Sequence, residues 1–172
     1  MSSTLFFERK SYMEPLQLTQ APEAKTAMLI RRPVAEVFEA FVNPAITSKF
    51  WFTRGSGRLE EGKEVQWEWA MYQFSTQVKV KTLEDNKRIL LEWSGYGTTL
   101  VEWTFTAPSQ NTTFVSITNT GFSGTGDACV QQAISSTEGF TVVLSGLKAF
   151  LEHNVLLNLV ADRFPKELET RS

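Results

Sequence analysis

Between residues 65 and 118 the side chains change character at almost every step, and that alternation constrains the fold more than any other feature. Val65, Trp67 and Trp69 stand against Gln66 and Glu68, the period of a strand with one face buried and one face in water. The same alternation returns at Phe74, Thr76, Val78 and Val80, at Val101, Trp103 and Phe105, and at Val115 and Ile117 against Ser116 and Thr118. Turn-forming stretches divide these runs: Glu84-Asp85-Asn86-Lys87, Gly95-Tyr96-Gly97, and Pro108 to Asn111. Strands joined this closely pair as an antiparallel meander, because a parallel pairing needs a long crossover. Such a sheet requires an element to cover its apolar face.

That cover is predicted near the C-terminal end. Phe140, Val143, Leu144, Leu147, Phe150 and Leu151 recur at helical steps, with Lys148 and Glu152 on the opposite side. Asn154 is expected to end this helix, and a short further turn or helix is expected within Leu156 to Phe164, before Pro165. Gly139 and Gly146 each cost a helix about 1 kcal/mol relative to alanine. Close approach to the sheet or a ligand explains Gly146 on one reading; an unoptimised exposed position explains it on the other.

Upstream, Thr26 to Arg32 reads as the first strand, stopped by Pro33, which opens a helix. Val34, Val37, Phe38, Phe41 and Val42 form its apolar face, and Glu36 and Glu39 its polar one. Asn43-Pro44 breaks this helix and permits a second short one through Ile46, Phe50 and Trp51; Gly55 and Gly57 then loosen the chain before the sheet. Residues 1–23 contain Pro15 and Pro22 and show no sustained period, so they read as an extension. Residues 24–155 form the domain, and 156–172 a short helical tail.

Composition narrows the partners. The 172 residues carry 17 basic and 19 acidic side chains in no block or stripe, which argues against nucleic acid and anionic membrane. Apolar residues make up 42% of the chain, with 13 Phe and five Trp, enough to fill one core without disulfides or metals. Cys129 stands alone, which excludes an internal disulfide and fits a reducing compartment. Without a local base it reads as a structural thiol rather than a nucleophile. His153 is the single histidine, so a histidine-rich zinc cluster cannot form, and its place at a helix end fits capping or exposure. Neither a metal nor a cofactor is expected. Leu5-Phe6-Phe7 runs directly into Glu8-Arg9-Lys10, unlike a secretory leader, and no apolar run spans a bilayer. A cytoplasmic protein is the expectation. Gly121-Phe122-Ser123-Gly124-Thr125-Gly126 lacks the lysine and spacing of a phosphate loop; it reads as a connector, with a glycine-hinged lid as the alternative.

The aromatic residues are the main functional clue. Trp51, Trp67, Trp69, Trp93 and Trp103, with Phe140, Leu144 and Leu147, are the candidate walls of an apolar cavity. A fully packed core predicts nearly the same pattern. Glu92, Glu102 and Tyr96 are the candidate polar groups. Alternation places the two glutamates opposite their tryptophan neighbours, hence in solvent, unless a bulge reverses the face.

The order of elements also resembles a known family. Pro33-Val34-Ala35-Glu36-Val37-Phe38-Glu39-Ala40-Phe41, the Asn43-Pro44 break and Phe50-Trp51 are similar to the opening of the family related to the activator of heat-shock protein 90 ATPase. Gly139-Phe140-Thr141 through Gly146-Leu147-Lys148-Ala149-Phe150-Leu151-Glu152-His153 resembles its closing helix. The resemblance covers residues 24–155 and extends to the wider SRPBCC superfamily of START-like and birch-pollen-allergen-like proteins. It implies an α+β helix-grip fold: a curved antiparallel sheet wrapped around a long C-terminal helix, two short helices between strands one and two, and a cavity between sheet and helix. It implies no shared catalytic residues. Relatives in the superfamily bind lipids, sterols, hormones or polyketides, and a minority are cyclases or dehydratases. The eukaryotic co-chaperone has an additional N-terminal domain for which residues 1–23 are too short, so ATPase activation is not the expectation from the resemblance. Three readings stand open. The first is non-enzymatic binding of a small hydrophobic molecule, and the second a chaperone-associated or other protein-interaction module. The third is an enzyme for an aromatic or polyketide-like substrate that uses Glu92, Glu102 or Tyr96. A homodimer is open as well.

Overall fold

The computed structural model describes residues 14–94 and 97–165. Seven antiparallel strands form one curved sheet in the order β1-β7-β6-β5-β4-β3-β2. They are β1 (Ala24–Ile30), β2 (Arg54–Gly55), β3 (Glu64–Trp69), β4 (Phe74–Glu84), β5 (Arg88–Ser94), β6 (Thr98–Ser109) and β7 (Thr112–Thr120). Two short helices, α1 (Val34–Val42) and α2 (Pro44–Thr47), separate β1 from β2, and α3 (Gly126–His153) crosses the concave face. A last short helix, α4 (Leu159–Asp162), follows α3. This is the helix-grip α+β architecture.

The alternation predicted from sequence appears directly as burial. Val65, Trp67 and Trp69 are buried, as are Val101, Trp103 and Phe105, while Gln66 faces water. Val78 pairs with Trp93 and Leu91 with Val101 across the strands, so one face collects the apolar rows. A bulge between Val80 and Thr82 bends β4. Asn86 takes a positive φ of 60° in the turn from β4 to β5, a conformation asparagine tolerates better than most residues.

Several boundaries differ from the sequence reading. The second short helix, expected through Ile46, Phe50 and Trp51, stops at Thr47, so Phe50 and Trp51 lie in the segment after it. The first strand ends at Ile30 rather than Arg32, because the Arg31 backbone N–H leaves the ladder and donates to the Glu152 carboxylate at 2.8 Å. Residues 54–55, expected to be loose, form the edge strand β2 against β3. The largest difference is α3, which spans 28 residues and begins thirteen residues before Gly139. Thr125 caps it by accepting from the Ala128 N–H at 3.3 Å, so Gly126 opens a helix rather than belonging to a connector. Its first half shows no apolar stripe, since only Cys129 and Ala133 are buried there.

The second half of α3 is fastened at both sides. Glu152, with a side chain only 6% exposed, accepts from Lys148 at 2.5 Å, and Lys148 also donates to the Leu29 carbonyl at 2.8 Å. Asn154 ends the helix in the left-handed region with φ of 54°. Between α1 and α2, the buried Thr47 hydroxyl donates to the Ala40 carbonyl at 2.7 Å, while Arg58 forms a two-bond fork with Glu39 at 2.7 Å. The Glu39 carboxyl is held below its ordinary range, chiefly by that Arg58 bond. Residues 14–23 run over the start of α3, where the Leu16 N–H reaches Asp127 at 3.4 Å.

Candidate functional site

Because the first half of α3 is polar, it does not seal onto the sheet as the second half does. Beneath it lies a cavity of about 620 Å³, within the size range of small-molecule sites. The sheet side supplies Trp69, Phe74, Trp93, Thr99 and Asn119, and Trp51 enters from the segment after α2. The helix supplies Gln131, Gln132, Ser135, Ser136, Gly139, Phe140, Val142 and Val143. Gly97, Phe122, Tyr72, Val160 of α4 and Arg163 complete the wall.

Trp51 organises the apolar floor. Its ring lies 4.9 Å from Trp67, 5.9 Å from Phe140 and from Trp93, and 6.0 Å from Trp103, mostly in tilted or edge-on contacts. Trp69 and Trp93 stack at 6.0 Å. The sequence candidates therefore divide into two layers. Trp51, Trp69, Trp93 and Phe140 reach the cavity, whereas Trp67, Trp103, Leu144 and Leu147 lie beneath it in the core, at most 2% exposed.

Glu92 and Glu102 stand on the other side of the sheet. Glu92 pairs with Lys81 at 3.4 Å and Glu102 with Arg88. The bulge in β4 does not turn either inward, since Leu91 and Val101 beside them are fully buried. Tyr96 lies outside the described residues. His153 is exposed beside Glu152, and Cys129 is buried with its sulfur 3.8 Å from the Gly124 carbonyl oxygen.

The polar groups that do reach the cavity come from elsewhere. Asn119 is 5% exposed; its amide donates to the Leu100 carbonyl at 2.9 Å and its oxygen accepts from Ser136 at 2.8 Å. Gln132 donates to the Ser123 carbonyl at 2.9 Å and ties the glycine-rich loop to α3. The Tyr72 hydroxyl donates to the Val160 carbonyl and holds α4 at the wall. Burial raises the Tyr72 phenol above its ordinary value, which keeps it a donor. Asn119 sits in the outward-and-inward alternation of β7, two residues beyond Ile117. That period was the signal available for it in the sequence.

Among the described residues no group of three or more histidine, cysteine or acidic side chains is placed to hold a metal ion. No helix among them is long and apolar enough to cross a membrane.

The model of the family described as Activator of Hsp90 ATPase homolog 1-like protein matches residues 31–152. No curated protein matches the chain. Among solved structures, the protein SSP2350 from Staphylococcus saprophyticus is 31% identical, with a TM-score of 0.68 over 79% of this chain and 96% of that one. The Aha1 dimer from Colwellia psychrerythraea is 20% identical, with a TM-score of 0.66 over 77% of this chain and 97% of that one. DynU16, from the dynemicin biosynthetic locus, is 20% identical with a TM-score of 0.65; the match covers 78% of this chain and 48% of DynU16, about half its length. At 20% identity the last two are evidence of a common fold alone.

Proposed function

We propose, on the premise that this chain belongs to the family of Activator of Hsp90 ATPase homolog 1-like proteins, that it binds a small hydrophobic molecule, lipid-like or aromatic, without transforming it. The observation that carries this reading is the cavity of about 620 Å³ walled by Trp51, Trp69, Phe74, Trp93 and Phe140 beneath the polar half of α3. An apolar space of that size beside buried hydrogen-bonding groups fits an organic ligand better than water. The location of DynU16 in a locus for dynemicin biosynthesis is compatible with this reading.

Binding is favoured over acid–base chemistry by the wall itself. Among the described lining residues there is no carboxylate, imidazole or thiol, the groups that most often transfer protons or attack a substrate. Glu92 and Glu102 are engaged by Lys81 and Arg88 on the far face of the sheet.

The test compares native and denaturing mass spectra of freshly purified protein. A reproducible added mass that is lost on denaturation is the expected result. A clean apo mass, together with no response to apolar fluorescent probes, overturns the reading.

A second reading, association with another protein or a second copy, rests on a different place. Leu29 and Phe114 are register partners on the outer face of β1 and β7, 37% and 43% exposed, and the Colwellia relative is a dimer. Sedimentation of the protein and of a Phe114→Ser variant tests the second-copy form of it: a dimer lost on substitution favours self-association through this face, and a monomer in both removes it.

A further inference from the structure

Arg163 is the one charged side chain among the described residues that line the cavity. It follows α4, and its side chain is only 21% exposed. Its partner Glu138 lies on the solvent side of α3, 59% exposed. Glu138 occupies one edge of the guanidinium: Nε donates to Oε1 at 3.1 Å and Nη2 approaches Oε2 at 2.5 Å. No acceptor among the described residues meets Nη1. That atom lies 3.4 Å from where a β-carbon on Gly139 would be, and Gly139 is itself a wall residue.

An arginine carries five N–H donors in a planar fork. When a carboxylate takes the Nε and Nη2 edge, the other edge retains the geometry for a second bidentate pair. The guanidinium is half-buried, with its Cζ 4.9 Å from the centre of the Phe164 ring and its Nη1 edge toward Gly139 of the cavity wall. Tyr72 strengthens the placement, since its hydroxyl bond to the Val160 carbonyl fixes the segment that carries Arg163.

We infer that the cavity selects an apolar molecule bearing a carboxylate, whose oxygens pair with the Nη1 and Nη2 edge of Arg163 while the apolar body lies among Trp51, Trp69, Trp93 and Phe140. Glu138 is a positioning residue that holds the guanidinium at the wall. The inference rests on the ligand-binding reading above and adds the chemical class of the ligand.

The experiment titrates the full chain with dodecanoate and, separately, with dodecanol near neutral pH, where the acid is ionised. Tryptophan emission and calorimetry report binding. Dodecanoate is expected to bind at least about ten-fold more tightly than dodecanol, the effect of a charged hydrogen-bonded pair. Arg163→Gln is expected to remove that preference, so that dodecanoate binds it no more tightly than dodecanol does; Arg163→Lys is expected to restore only part of it, because an ammonium lacks the fork. Equal binding of acid and alcohol to the wild-type chain overturns the inference and leaves the apolar cavity standing. A preference for the acid that survives in Arg163→Gln overturns the assignment to Arg163. Failure of both probes to bind overturns the cavity reading and the inference with it.

Discussion

Gly146 of α3 lies so close to Phe50 that a β-carbon on it would stand 3.2 Å from the Phe50 carbonyl oxygen. The helix descends onto the segment after α2 at this point, and the contact is backbone on both sides. Gly139, on the same helix, meets only the flexible end of Arg163 at 3.4 Å. One glycine is there for close packing and the other is not.

These two positions should therefore respond with opposite signs. Gly146→Ala is expected to destabilise by about 1–3 kcal/mol, since overpacking outweighs the helix propensity gained. Gly139→Ala is expected to stabilise by up to about 1 kcal/mol. Urea denaturation midpoints decide both, and equal signs would contradict this account.

The hydrogen bond from Ser136 to Asn119 joins the polar half of α3 to β7 inside the cavity wall. Ser136→Ala deprives the buried Asn119 oxygen of that donor and is expected to cost about 1 kcal/mol. Thermal melting measures it. An unchanged Tm would mean that water or a ligand replaces the hydroxyl there.

Trp93 and Trp103 differ in depth, and substitution should separate them. Trp103 is 1% exposed and its indole nitrogen is buried with no hydrogen-bond partner among the described residues. Trp103→Ala is expected to cost about 3–5 kcal/mol through cavity formation in the core. Trp103→Phe should cost less than its lost volume implies, because it also removes an unsatisfied donor. Trp93, half-buried at the cavity wall, should cost less stability as Trp93→Ala but change the binding of an apolar dye. Denaturation curves with parallel dye titrations test the division.

Acid should weaken the clamp between α3 and β1. Burial pushes the Glu152 carboxyl upward, yet the bonds from Lys148 and the Arg31 N–H prevail and hold it below the ordinary value of 4.5. A folded-state pKa below the unfolded one gives stability that is fully present above the unfolded value. That stability is lost as pH falls through the folded value. Wild-type Tm should therefore drop as the pH goes below about 4.5, more steeply than in Glu152→Gln. Near neutrality, Glu152→Gln should already be less stable by about 1–3 kcal/mol, the cost of losing a charged acceptor. Melting curves across this pH range provide the check.

The sheet was legible in the chain because burial on one face imposes a period of two, visible in Val65, Trp67 and Trp69 without any neighbour. The second half of α3 was legible for the same reason, through Phe140, Val143, Leu144 and Leu147. Its first half was hidden: Gln131, Gln132, Ser135 and Ser136 carry no apolar stripe because they face an open cavity rather than a core. A helix that borders a cavity instead of a packed core loses the pattern by which helices are recognised in sequence.

The amino-acid order by itself determined the alternation, the breaks at Pro33 and Asn43-Pro44 and the closing helix, hence an antiparallel meander covered by a late helix; the family resemblance implied the helix-grip form of it. Only tertiary structure separated Trp51, Trp69, Trp93 and Phe140 at the cavity from Trp67, Trp103, Leu144 and Leu147 beneath it. It also brought Asn119, Tyr72 and Arg163 to one wall from elements far apart in the chain. The physical reason is that periodicity records which face of an element is out of water. Whether that face meets packed side chains or a cavity depends on how the sheet curves and where the helix crosses it, and no local pattern encodes that distance.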